Sequence, residues 1–373
     1  MKLTASLAQV LRNERASTAL LLPVAALALL LAPHGLSAFF HNQLSFGGLS
    51  FTIRDWVALA PLVIFFYVAG LELRSGFGNG EKLSSSLPPI AGAICGMAVP
   101  ALIYLLLAHS GGINSSAWGI PMATDLPLAL AALNLFPKQV SNEIRSFILT
   151  LAIFDDVGSI VVIAVRFHQR SSLTHSVLAI ISLLGFGFLF RRRFKKWRLL
   201  KAAALLSLAL IVWWEGLHSG IHPTVFGVLL GLATPLLTIE KTIQVIQPFS
   251  SFLIIPLFLF SSLSIMLTMP ISGDLTKMTA ILIAARFLGK PLGIVCGAWG
   301  LAHLLKIDLG FAPAKLWLVG ILGIFGFSVS LLFAQLTLTG AELNAAILGI
   351  LLALPVGGAT TLSYYFFTRA TAA

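Results

Sequence analysis

The chain has 373 residues, 58% of them hydrophobic and only 10% charged, with a formal net charge of +11 and a mean hydropathy of +0.98. Soluble domains carry about 25% charged residues, so this composition excludes an ordinary soluble protein. The basic balance raises nucleic acid as a partner, and only the placement of the charges decides that question.

Apolar runs long enough to cross a bilayer as helices recur from end to end. Twelve spans are predicted, over residues 17–34, 55–73, 88–108, 117–136, 146–165, 174–190, 199–213, 219–237, 248–269, 278–303, 314–338 and 341–368. They leave no room for a soluble domain, and the expectation is an all-α polytopic membrane protein. The first run follows a basic stretch, as a signal peptide does, but its length reads as a retained span. The loop after it, "GLSAFFHNQLSFGGLSFTIR" (35–54), sets alternating segments on either side of Gly47-Gly48. That pattern predicts a hairpin over about 42–53. Its open edge suits a homodimer contact, with a plain surface loop as the alternative.

In the fourth span, Pro121 and Pro127 flank Thr124-Asp125. Prolines this close should interrupt the helix, leaving free carbonyls and half-helix ends at mid-membrane. Asp125 suits the positive end of a half-helix, and Thr124 offers an oxygen ligand. The fifth span holds Asp155-Asp156 at its midpoint, between Arg145 and Arg166. Cys95 and Cys296 lie inside spans and read as packing residues without a disulfide. The eleventh span is punctuated by Gly320, Gly323 and Gly326. Interrupted segments in corresponding positions of spans 3–5 and 10–12 point to inverted repeats.

With the N-terminus inside, 18 of the 24 basic residues fall on the inner side, seven of them in the run 191–201, and four on the outer side. This bias supports an even number of spans with both termini cytoplasmic. It makes the 191–201 run a topology determinant and lipid-headgroup contact, and no nucleic-acid partner is expected.

The remaining two basic residues, Arg286 and Lys290, lie within the tenth span, with Lys290 near its centre. Asp125, Asp155 and Asp156 are the acids deep inside spans. These three and Lys290 share one depth, where a charge costs several kcal/mol. One lysine cannot neutralise three carboxylates, so a static ion-pair cluster is a poor explanation, and surplus buried carboxylate is what a site for an exchangeable cation requires. Successive residues on a helix point about 100° apart, so one of Asp155 and Asp156 can face a cavity while the other faces Lys290. A desolvated carboxylate that gives up its proton when Na⁺ arrives couples the two movements without further machinery. Oxygen ligands suit a hard cation; no His/Cys cluster suggests a transition metal, and no cofactor or enzymatic activity is expected. An intramembrane aspartyl protease is disfavoured, because Asp155 and Asp156 are adjacent on one helix and no GxGD sequence occurs. A Schiff-base role for Lys290 is disfavoured by the facing carboxylates.

The chain resembles the NhaA family of sodium/proton antiporters. The resemblance rests on GLELR (70–74), GMAVPALIY (96–104), WGIPMATD (118–125), LAIFDDVGSI (151–160), SGIHPTVFGV (219–228), IIPLF (254–258) and GKPLGI (289–294). It implies that Asp156 is the cation- and proton-binding carboxylate, so that Asp156 and Asp155 form the site of the transported metal ion. It implies that Asp155 pairs with Lys290, and that Thr124 and Asp125 sit where interrupted helices cross. It also implies a core domain over about 88–167 and 278–368, and an interface domain from 1–73 and 174–269 that carries a dimer hairpin. The function implied is electrogenic exchange of cytoplasmic Na⁺ or Li⁺ for external H⁺ across a bacterial inner membrane. A proton-coupled transporter of K⁺ or a small organic cation is the alternative.

The chain departs from the family pattern in four places. Leu73-Arg74-Ser75-Gly76 loses an acid, TIQVIQPF (242–249) lacks an acid and histidines, LFSSLSI (259–265) replaces a Phe-Ala-Asn-Ala-Gly stretch, and the glycines of span 11 are shifted. His222 matches a family histidine and reads as a packed or capping residue.

Overall fold

The computed structural model describes residues 14–78, 83–133, 141–166, 172–192, 198–264 and 273–370. Lys82, Lys138, Arg170, residues 193–197 of the basic run and Ile265 lie outside the described residues. In chain order the helices are α1 (Glu14–Leu31), α2 (Leu36–His41), then, after strands β1 (Gln43–Phe46) and β2 (Leu49–Thr52), α3 (Ile53–Leu59), α4 (Pro61–Gly78) and α5 (Leu83–Gly111). A 3₁₀ segment (Ser115–Met122) precedes α6 (Leu126–Leu133) and α7 (Asn142–Arg166). There follow α8 (Leu173–Arg191), α9 (Arg198–His218), α10 (Pro223–Ala233), α11 (Leu236–Phe249) and α12 (Ile255–Leu263), the last two joined by a π turn. The chain closes with α13 (Gly273–Leu305), α14 (Leu316–Leu322), α15 (Ser328–Thr337) and α16 (Gly340–Ala370).

Eight helical stretches among the described residues are long and apolar enough to cross a membrane: Ile53–Gly76, Ser85–Gly111, Asn142–Arg166, Leu173–Arg191, Leu199–His218, Leu236–Leu263, Gly273–Leu305 and Gly340–Phe367. The other four predicted spans, 17–34, 117–136, 219–237 and 314–338, are shorter or interrupted. Pro23 lies inside α1, and the apolar helix there is Pro23–His34. Helix α10 has 11 residues, about 17 Å of rise, against a hydrocarbon core of about 30 Å. Twelve uninterrupted crossings are therefore not what the described chain forms.

The chain divides into two compact units, Met1–Gly80 with Ile160–Ser264, and Glu81–Ser159 with Ile265–Ala373. In the first, Gln43 pairs with Thr52 and Phe46 with Leu49, so the hairpin turns on Gly47-Gly48 alone. Both glycines have positive φ, +59° and +82°, as a two-residue type I′ turn demands. Phe46 packs edge-on against Trp56 and Trp214, and the Trp56 indole donates to the Leu44 carbonyl at 2.7 Å. Behind it, α10 lies against α4, and Phe226 and Leu230 of α10 join Ala179, Phe186 and Val212 in a core.

In the second unit α13 packs along most of α5. Gly289, Gly293 and Gly297 recur every fourth residue of α13, and a Cβ on each would run into Pro100, Cys95 and Ala91 of α5 in turn. Small residues at this spacing let two backbones touch, which replaces the hydrophobic driving force that lipid removes. The element order of long helix, interrupted segment and long helix occurs twice here: α5, Ser115–Leu133 and α7, then α13, Leu316–Thr337 and α16. Beside them, Leu151, Ile294, Leu318, Leu322 and Phe325 are among the residues of a continuous core.

Gly293→Val forces a side chain into the Cys95 carbonyl and should destabilise the protein by about 1–3 kcal/mol or more. Thermal unfolding in detergent checks this; an unchanged midpoint would count against the close contact.

Candidate functional site

Two interrupted segments of the second unit meet in their linkers. The first is a 3₁₀ helix opened by Asn114, whose side chain accepts from the Ser116 amide at 2.9 Å. It contains Pro121 and ends at Ala123, which is extended; after Thr124-Asp125, α6 begins with Pro127 as its second residue. The second runs through α14, breaks over Gly323–Phe327 and resumes as α15. Gly326 is required at the meeting point, because a Cβ there would overlap the Ala123 carbonyl oxygen. Across the junction the Asp125 amide donates to the Phe325 carbonyl at 2.6 Å, and the Thr124 hydroxyl donates to the Gly323 carbonyl at 3.0 Å.

The Asp125 carboxylate receives the Phe327 amide, the Ser328 amide at 2.8 Å and the Ser328 hydroxyl. These are donors at the first turn of α15, so the carboxylate caps that helix and meets its positive end. Arg286 of α13 serves the opposite polarity. Its guanidinium donates to the Gly326 carbonyl, to the Ile120 carbonyl at 2.6 Å and to the Ser330 hydroxyl. One turn on, the Lys290 ammonium donates to Asp155 Oδ1 at 2.7 Å, with both side chains fully buried. Asp155 Oδ2 has no hydrogen-bond partner among the described residues, although the Thr124 amide and hydroxyl both approach the carboxylate. Asp156 lies within electrostatic reach of Lys290 and retains 8% exposure, against 0% for Asp155. Among the described residues, Asp125, Asp155, Asp156, Arg286 and Lys290 are the buried charged side chains.

A family model described as Na+/H+ antiporter 1 matches residues 8–365. The chain belongs to this family. It is 35% identical over 358 residues to a protein of Thermobifida fusca named "Na(+)/H(+) antiporter NhaA", covering 89% of this chain and 86% of that one. A protein of the same name from Proteus mirabilis is 33% identical over 364 residues, covering 91% and 90%. One from Saccharopolyspora erythraea, named "Na(+)/H(+) antiporter NhaA 1", is 35% identical over 374 residues, covering 93% and 88%. With its apolar helices, this NhaA-family chain is a multi-pass membrane protein.

The structure brings Thr124, Asp125, Asp155 and Lys290 into one contact set, with Asp156 beside it on α7. His222 belongs to the first unit, at the head of α10, with Nδ1 2.8 Å from the Thr224 hydroxyl. The serines that replace the expected stretch at 259–265 are also in the first unit: Ser261 and Ser264 bond to carbonyls of their own helix region. Sequence reading placed Arg286 within the tenth span without giving it a role, and missed Ser328 and Ser330. Arg286 had a signal, since it precedes Lys290 by four residues in an apolar helix and so shares its face. Beside the four charges singled out by sequence stands a fifth buried one, Arg286, and among the described residues the site sets two cations against three carboxylates.

Lys290→Met leaves Asp155 buried without its ammonium, which should cost about 3–5 kcal/mol. Adding Asp155→Leu should recover most of that loss. Unfolding midpoints of the single and double variants check the pairing, and equal destabilisation of both would contradict it.

Proposed function

We propose that the chain exchanges cytoplasmic Na⁺ (or Li⁺) for external H⁺ across a bacterial inner membrane, with both ions competing for Asp156. The observation that carries this reading is the surplus, among the described residues, of one buried carboxylate over the buried cations, in a chain whose family relatives bear antiporter names. An excess negative charge in a low-dielectric site must be met by an ion, and Na⁺ or H⁺ can meet it one at a time. Asp155 is committed to Lys290, whereas Asp156 keeps a little exposure, so Asp156 is the group an ion reaches first. Electrogenic exchange needs more protons than cations, and the Asp155–Lys290 couple is a further group able to take one. Thr124 and the carbonyls of the crossing supply further oxygens of the kind a hard cation prefers. Both termini are read as cytoplasmic, from the distribution of basic residues.

The second unit is read as the core domain of inverted repeats and the first as the interface domain. The repeated order of long helix, interrupted segment and long helix supports the first assignment. The hairpin supports the second, because β1 is exposed along its length and a two-stranded sheet leaves its outer edges open. Deleting residues 43–52 should convert a detergent-solubilised homodimer to monomer by light scattering; an unchanged mass would remove the hairpin from the contact.

Proteoliposomes with an acidic interior test the exchange. Na⁺ or Li⁺ added outside should dequench a ΔpH dye, and Asp156→Asn should abolish the response. A response to K⁺ or an organic cation alone would replace the cargo, and no response to any ion from folded protein would sink the exchange reading.

A further inference from the structure

The guanidinium of Arg286 is buried and cationic, and the exchange reading counts its charge but gives its hydrogen bonds no task. It projects from α13 into the junction of the two interrupted segments, four residues before Lys290. Its partners are two backbone carbonyls from different segments, Ile120 in the last turn of the 3₁₀ helix and Gly326 in the linker, plus the Ser330 hydroxyl on α15. Broken helices leave such carbonyls without intrahelical partners, and in lipid an unsatisfied carbonyl costs several kcal/mol. A planar fork of donors is suited to holding two carbonyls at once, which a single ammonium is not. The charged groups facing Arg286 are Asp125 on the first linker and Asp155 on α7, with Lys290 on its own helix.

We infer that Arg286 is a positioning residue for ion exchange: it clamps the crossing carbonyls of both interrupted segments, leaves Lys290 for Asp155, and fixes the site's surplus at one negative charge. Had the crossing relied on Lys290, its single ammonium would have to serve carbonyls and Asp155 together. With Arg286 present, Arg286 faces Asp125 and Asp155, and Lys290 holds Asp155 and lies within electrostatic reach of Asp156, so two cations stand among three carboxylates. This inference rests on the exchange reading above.

The test is the kinetics of purified full-length protein in proteoliposomes, at an alkaline pH where proton competition is least. Arg286→Met raises the surplus to two negative charges and frees two carbonyl oxygens, so KM for Na⁺ should fall roughly fivefold while kcat falls as the crossing loosens. Arg286→Lys keeps the charge and loses the fork, so KM should stay within about twofold of wild type while kcat drops about tenfold. General structural damage would instead raise KM in both variants. Where Arg286→Met does not fold, Arg286→Gln carries the same charge change with one amide left to reach a carbonyl. A KM unchanged or raised in a folded neutral variant overturns the inference. Wild-type protein that ignores Na⁺ overturns the exchange reading instead, so the two failures are told apart.

Discussion

The Asp125 carboxylate gathers the Phe327 and Ser328 amides and the Ser328 hydroxyl at the start of α15, and through them ties two interrupted segments into one junction. A helix broken at membrane depth exposes amides at one end and carbonyls at the other, with no water to satisfy either. Asp125 answers the amides and Arg286 answers the carbonyls. Without both polarities matched, neither segment could be interrupted there. The break in turn exposes the polar backbone that a cation site can use.

That junction is held in place by packing rather than by further charge. The glycines of α13 at 289, 293 and 297 bring its backbone against α5, and Arg286 and Lys290, four residues apart, share a face of the helix next to that stripe. Gly320 lies against Pro291 in the same way, with a Cβ there 2.8 Å from the proline Cα. The position of Lys290 opposite Asp155 is therefore set by a helix contact that tolerates almost no added volume. An ion pair with its partner fixed this firmly is dry and specific, at the cost of having little slack when either charge is removed.

The same arrangement explains why two adjacent aspartates occupy one apolar run. On α7 they point about 100° apart. The packing of α13 selects Asp155 as the one that faces Lys290, and Asp156 keeps its small exposure. Burial of a like-charged pair would be prohibitive if both sought the same environment. Here each has its own.

The amino-acid sequence by itself determined the membrane class, the long apolar helices, the two interrupted segments and the hairpin turn. These follow from local quantities: run length, Pro and Gly placement, and the cost of a charge in an apolar stretch. It also singled out Thr124, Asp125, Asp155, Asp156 and Lys290, because polar groups in such runs are conspicuous. Several features were decided only by tertiary structure. One is which spans are shortened, as in α10, where helix length depends on the caps at its ends. Another is which aspartate meets Lys290, which no local pattern tells and which only the family resemblance had assigned to Asp155. The partners of Asp125 belong here too: they are largely backbone amides, which every residue owns and no residue type advertises. Arg286 lies between the two cases, visible as a charge in a span but not as a clamp until the Ile120 and Gly326 carbonyls, 166 and 40 residues away in the chain, arrive beside it. Long-range contacts of this kind are specified by the fit of whole helices, which no local pattern contains.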